Sequence, residues 1–541
     1  MQDKVVHIGK SDRLPWNTQG RARISRLIPV IDSPKTGPLL RGPHPPSRLF
    51  FATCAGVLLL ATTIRVLGMF NDLWLDEIWS LQLAGSISSW WQVFTTIHHD
   101  NNHYLNTCWL HLCGQRGSWY GYRIPSVVAG VGTVLMAGVI GQRRSRICAL
   151  IAMTVTSFSY VLVLYSSEAR GYSEVVFFSY ISFYLLDTFL GRLKWPLALL
   201  FSLTSLLGFC SHLTFIDFFA AAFVWSICRL RAKGMSGLQT LFALLECFSL
   251  PSLFLAWIYV VDVRPMVIGG GNPIRLGPAY ENALAWAIGA PLDEAMIFWL
   301  FLGAVLVFGA GIRLLWREKS DLVVLFLGVV LITPVGLALV THSDSLYVRY
   351  FIVSIAFFLL LFSFLLDWLW RRGILGKIGF VGILGLFLSL NGLRTAELMK
   401  FGRGQYSEAV RYMAGRRSSA ETTVGGDHDF RIKLVFEFYK RETGMTNIRY
   451  VSRAEWAKEG VQWLVCHRDS CEAPIPPGAG LTDPEGHQFW LVHVFPSAPL
   501  SGLHWFVYRN TPSKGSQSSV ASPVSVSATW DPLKSAHLDP L

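Results

Sequence analysis

Charge is what this chain has least of. Asp, Glu, Lys and Arg make up only 15% of its 541 residues, where a soluble globular domain carries about 25%. That shortage excludes an ordinary water-soluble enzyme of this length. Acidic residues are scarcer still, 35 against 47 basic ones, for a net charge of +12. Such a balance can mark a nucleic-acid binder, but the basic residues sit in short segments between apolar runs, so nucleic acid is excluded as a partner. The first apolar run starts too late for a cleavable signal peptide, and none is expected. No internal repeat of the kind that builds many transporters stands out. Most of the nine cysteines fall inside apolar runs, where they pack as small apolar side chains.

What the chain has is apolar length. Hydrophobic residues reach 52%, with 36 Phe and 20 Trp, a composition suited to helices that end in aromatic belts. Runs of about 17–25 apolar residues can span a bilayer. Eleven are read here: 49–70, 123–141, 147–165, 173–190, 196–211, 213–228, 241–261, 295–315, 322–340, 351–369 and 378–396. The basic segments set the orientation. Arg143, Arg144 and Arg146, Arg192 and Lys194, Arg229, Arg231 and Lys233, Arg313, Arg317 and Lys319, and Arg371, Arg372 and Lys377 all fall on one side, which is then cytoplasmic. The N-terminal tail joins them there. The other side receives Asp72, Asp76, Glu77, Asp100, Glu168, Asp262, Glu281, Asp293, Glu294 and Asp344, and the segment after residue 400.

Residues 1–47 read as a flexible cytoplasmic tail and residues 48–399 as the membrane domain. Residues 400–510 read as a compact external α/β unit, with strands at Thr422–Gly426, Ile448–Val451, Val461–Cys466, Phe489–Phe495 and Leu503–Tyr508 and a helix at Phe430–Arg441. The Ser- and Pro-rich stretch 511–541 reads as disordered. In the external unit, Cys466 and Cys471 are spaced for a small disulfide loop in an oxidising compartment.

The first external loop, 71–122, carries the densest chemistry. It opens on Trp74-Leu75-Asp76-Glu77 and continues to His98-His99-Asp100-Asn101-Asn102-His103. Ile78, Leu81 and Ala84 recur at helical spacing, and Trp90, Trp91, Phe94 and Ile97 and then Tyr104, Leu105, Cys108, Trp109 and Leu112 follow. These stretches suit amphipathic helices lying in the membrane interface. Asp76 and Glu77 then sit at headgroup height as catalytic carboxylates, or cap the helix. His99, Asp100, Asn102 and His103 can bind substrate. The same cluster offers ligands for a divalent metal, the one cofactor the sequence suggests, or is a solvated loop. Three other external places stand out: Glu168, Arg170 and Tyr172 in a tight turn, His212 in another with Asp217 one helical turn beyond it, and Arg349-Tyr350 before the tenth run. Arg349 can meet a phosphate or merely snorkel to the interface.

These pieces resemble a known family. Leu75-Asp76-Glu77, Asp100-Asn101-Asn102-His103, Tyr122-Arg123-Ile124-Pro125-Ser126, Tyr165-Ser166-Ser167-Glu168-Ala169-Arg170-Gly171-Tyr172 and Arg349-Tyr350 are similar to the polytopic glycosyltransferases that use polyprenyl-phosphate sugars. The group meant is the dolichyl-phosphate-mannose protein mannosyltransferase-like one (glycosyltransferase families 39 and 83). The likeness covers residues 49–400. It implies a GT-C fold, an all-α polytopic membrane protein, with Asp76 as the catalytic base. Where many relatives have His-Pro-Pro, this chain has Asn102-His103-Tyr104. The Trp-Trp-Asp-Tyr-Gly motif of oligosaccharyltransferases is missing.

The resemblance and the residues imply the same chemistry. A base is needed for the acceptor hydroxyl, positive charge for the departing phosphate, and access from the bilayer for a lipid donor. The expected partners are a polyprenyl-phosphate sugar, a lipid, glycan or protein acceptor, and the bilayer, and the expected place is a bacterial plasma membrane. A multi-pass transporter or flippase is the alternative, and would place its binding groups near the bilayer midplane.

Overall fold

A computed structural model describes residues 48–114, 118–269, 274–341, 346–415, 421–468, 480–482 and 486–510. The two expected tails, Asp344 and Cys471, and with it the pairing of Cys466, lie outside the described residues.

The protein is mostly helical and carries a small C-terminal sheet domain. Each of the eleven apolar runs lies on helix, the conformation that satisfies a backbone inside lipid. Among the described residues, eight helices are long and apolar enough to cross a membrane, and Arg146–Phe158 and Trp195–Ser211 are shorter apolar helices. Three runs are interrupted in ways hydropathy does not record, the 322–340 run by a π-helical turn at Gly328–Ile332. The 147–165 run breaks at Ser159 into Arg146–Phe158 and Tyr160–Tyr165. The break leaves helix-end carbonyls without partners, and the buried Arg65 donates to two of them, Thr156 O at 3.1 Å and Ser157 O at 3.3 Å. The 241–261 run ends in a π-helical turn, Tyr259–Val263, that carries Asp262.

Ion pairs tie the basic segments together at one end of the helices. Arg143 and Arg229 both pair with Asp187, Arg144 pairs with Glu318 and Asp367, and Arg371 also reaches Asp367. The first loop, the turns at 166–171 and 212–214, and the segments 262–269 and 346–350 meet at the other end.

That loop folds into helix α1 (Leu75–Gly85), a short turn at Gln92–Thr95 and helix α2 (Tyr104–Cys113), and leads into α3 (Trp119–Gln142). The interfacial placement expected for α1 is corrected. Ile78, Leu81 and Ala84 are buried in one cluster with Val435, Phe436, Phe438 and Tyr439 of the C-terminal helix α4 (Asp429–Thr443). The apolar face of α1 therefore meets protein. Trp90, Trp91 and Leu112 do stay exposed.

Among the described residues, the C-terminal domain forms a six-stranded mixed sheet. Its strands are β1 (Thr422–Gly426), β2 (Ile448–Tyr450), β3 (Trp463–Arg468), β4 (Gly480–Thr482), β5 (Gln488–Phe495) and β6 (His504–Asn510), in the order β2-β1-β3-β6-β5-β4. The first three pair in parallel and the rest antiparallel. Helix α4 makes the crossover between β1 and β2, as parallel pairing requires. Tyr439 Oη donates to Leu73 O at 2.8 Å, and the Ser407 N–H donates to Asp72 at 2.7 Å. The sheet domain thus braces the loop that carries Asp76.

Candidate functional site

Helix α1 starts after an extended Trp74, so its second and third residues leave the backbone in different directions. Glu77 turns inward. Its Oε1 accepts from Arg123 Nε at 2.7 Å and from the Ala169 N–H at 2.7 Å, and its Oε2 accepts from Arg123 Nη2 at 2.6 Å and the Trp74 N–H at 3.2 Å. Burial works to raise its pKa, but the Arg123 guanidinium outweighs it and holds the carboxyl below the ordinary range. Arg123 also donates to the carbonyls of Met69, Asn71 and Asp72. The pair locks the entry into α1. Glu77 has no acceptor capacity left for a substrate, and its expected catalytic role is corrected to one of positioning.

Asp76 turns the other way. It pairs directly with Arg170, and Arg349 Nη2 lies 3.4 Å from the same oxygen, Oδ2. The three side chains keep a small exposure of 13%, 4% and 15%, which leaves an opening to the site. Three elements distant in sequence thus bring a carboxylate and two guanidiniums to one point. Asn101 Nδ2 donates to the Asp76 carbonyl at 2.9 Å and to Ser80 Oγ at 2.9 Å, steadying the turn.

His103 lies beside Arg170. Its Nδ1 accepts from the Gly171 N–H at 2.8 Å, and its Nε2 is 3.3 Å from Arg170 Nη2. Burial, then the charges of Arg170 and Arg349 and the neighbouring His212, push its pKa well below the usual value, so the ring is neutral. A neutral imidazole whose Nδ1 accepts carries its proton on Nε2; this tautomer is assigned from the bonding. Nε2–H therefore points toward the same region as the arginines. Gly171 has no room for a side chain, because a Cβ there would lie 1.9 Å from Ser211 O. That close approach seats His212 against His103, with ring centroids 4.6 Å apart, and against Tyr172 at 4.7 Å. Burial and the two arginines push His212 down to about 3. Tyr172 lies under Arg170, and Tyr350 and Tyr347 flank Arg349.

The remaining expected residues lie farther back or elsewhere. Glu168 is buried behind the opening, accepting from Trp74 Nε1 at 3.0 Å, with Arg403 Nε 3.8 Å away. Burial raises its pKa against the pull of Arg403. Asp100 accepts from the Gly269 N–H at 3.0 Å and lies 3.0 Å from His99 Nδ1, at a β-bridge joining His99 to Val267. His99 also packs on Trp79, which packs on Phe430 of the sheet domain. Asn102 is corrected. Its Nδ2 donates to Val93 O at 2.8 Å and Ile97 O at 2.9 Å, and its Oδ1 accepts from Thr107 at 2.9 Å, so it closes a turn and does not face a substrate.

The three histidines of the cluster go three ways: His98 to Asp262 at 2.8 Å, His99 to Asp100, His103 to Gly171. Among the described residues, no group of three His, Cys, Asp or Glu side chains is placed to hold a metal ion.

Sequence reading missed the structural roles of Arg123, Arg403 and Asn101. Arg123 stood in a quoted motif with no partner to suggest its use. Arg403 bonds Asn71, Leu164 O and Ser167, and nothing in its local sequence signals this. No protein-family model matches the chain, and no curated protein matches it in sequence.

Proposed function

We propose that the protein is a membrane glycosyltransferase of the GT-C kind, moving a sugar from a polyprenyl-phosphate donor to an acceptor hydroxyl. The observation that carries the reading is Asp76 facing Arg170 and Arg349 at the opening, with the His103 Nε2–H beside them. In a single displacement, the acceptor hydroxyl gives its proton to Asp76 and its oxygen attacks the anomeric carbon. The bond from that carbon to the phosphate oxygen breaks, and the polyprenyl phosphate leaves with inversion at the sugar. The leaving phosphate gains negative charge, which guanidiniums stabilise best where water is scarce. The arginines fill the charge role a divalent cation could otherwise take, so transfer should persist in a chelator. Eleven spans, a cytoplasmic N-terminus and an external sheet domain in a bacterial plasma membrane complete the reading. It is supported by the ion-paired basic segments at the end opposite the site.

The test compares the glycolipids and glycans of cells with and without the gene. One sugar-bearing species should disappear while its lipid-linked donor accumulates. Identical profiles under conditions where the protein is made would contradict the reading.

A further inference from the structure

Arg170 and Arg349 converge on a single oxygen of Asp76. Yet each guanidinium also has a buried Nε–H with no hydrogen-bond partner among the described residues, the Nε of Arg170 standing 4.0 Å from Glu168 Oε1, beyond hydrogen-bond reach. His103, locked by Gly171, turns its Nε2–H toward Arg170, so two donors face each other at 3.3 Å. An arginine cannot accept. Such a contact between two donors is relieved only by an acceptor that both can reach. The site therefore has more donor capacity than Asp76 can use, and what it calls for is an anion with several oxygens, such as a phosphate.

We infer that Asp76 and the donor phosphate compete for the same two guanidiniums, so that donor binding itself releases the catalytic carboxylate to the acceptor. This rests on the function proposed above and adds a regulation to it. While Asp76 is paired to the arginines, its carboxylate is committed to them. A phosphate on Arg170, Arg349 and His103 takes those cations over, and the carboxylate turns to the acceptor hydroxyl. Chemistry then waits for the donor, which protects it against unproductive binding of acceptor alone. Glu77 plays no part in the exchange, because Arg123 and two backbone N–H groups hold it.

The inference makes an unusual demand: removing the base should strengthen donor binding. The full-length protein in detergent is titrated with a polyprenyl monophosphate, with the uncharged polyprenol as control and inorganic phosphate as a second arm. Asp76→Asn should bind the monophosphate about tenfold or more tightly than the parent, from the loss of one charged competitor. Polyprenol should bind all forms alike. Asp76→Glu, which keeps a carboxylate at the arginines, should bind no more tightly than the parent. Tighter inorganic phosphate alone, with the lipid unchanged, would mean an adaptable anion site and overturn the lipid assignment. Equal or weaker monophosphate binding by Asp76→Asn overturns the competition. If that variant fails to fold, infrared difference spectra of the parent labelled with 13C-carboxyl aspartate decide. The monophosphate must shift an aspartate carboxylate band, and unchanged bands overturn the inference. The two proposals fail separately. Tighter binding without transfer from any lipid-linked sugar removes the glycosyltransferase reading and leaves the competition standing, whereas transfer with unchanged binding does the reverse.

Discussion

Asp76 and Glu77 are neighbours of one chemical type with opposite environments. Replacing Glu77 by Gln leaves Arg123 buried without its counter-charge, a loss that costs about 3–5 kcal/mol. Asp76→Asn also removes a counter-charge from Arg170 and Arg349, but at a partly exposed point with Glu168 near Arg170, so it should cost clearly less. Thermal unfolding of the two variants in detergent checks this, and comparable destabilisation of both would contradict the division of roles. The sequence places both acids at a helix start but does not separate them. Glu77 finds its partner 46 residues away in Arg123, and no local pattern encodes that distance. The histidines add a pH dependence. His103 and His212 are depressed in the folded protein, whereas an unfolded histidine titrates near about 6.5. The unfolded state therefore takes up protons first as pH falls. Their contribution to stability is whole above about pH 6.5 and is lost below it. The melting temperature should decline toward about pH 5, less steeply in His212→Asn. A flat parent profile would contradict the buried neutral pair.

At the scale of elements, the periodicity of Ile78, Leu81 and Ala84 announces a helix and its apolar face. It is silent on what that face meets, and the answer is the sheet domain's α4 and not lipid. The turn at 168–172 was read as a turn, but the same limit hid the part its backbone plays, which matters as much as its charges. Gly171 there donates to His103 and touches Ser211. Gly171→Ala must push the turn away from Ser211, so His103 should lose its lock and swing from the arginines. Polyprenyl monophosphate binding should weaken about tenfold or more, as expected for a lost hydrogen bond to a charged ligand. Isothermal titration measures it, and unchanged affinity in a folded variant would show that the lock is dispensable.

For the whole molecule, composition and run length sufficed to find the eight membrane-length apolar helices among the described residues, because lipid allows few alternatives. Five strands of the C-terminal domain were legible too, as short β-branched and aromatic segments alternating with one amphipathic helix, but β4 and the short helix Arg453–Glu459 were missed. Strand order was not legible, since pairing β3 with β6 joins segments some 40 residues apart by a choice that tertiary packing makes. The breaks at Ser159 and Tyr259–Val263 were likewise invisible to hydropathy. The orientation remains testable by fusion. Alkaline phosphatase attached after Gln405 should be active outside the cell, and a silent phosphatase with an active cytoplasmic reporter at that point would reverse the topology.

The central claim is that a carboxylate held between two arginines transfers a sugar from a lipid phosphate. The most direct measurement reconstitutes the purified protein in liposomes with a radiolabelled polyprenyl-phosphate sugar and an extract of candidate acceptors. Label should pass to a new product with the parent protein, and about 10²-fold more slowly or worse with Asp76→Asn, the loss expected when a general base is removed. Transfer by Asp76→Asn at the parent rate would contradict the account.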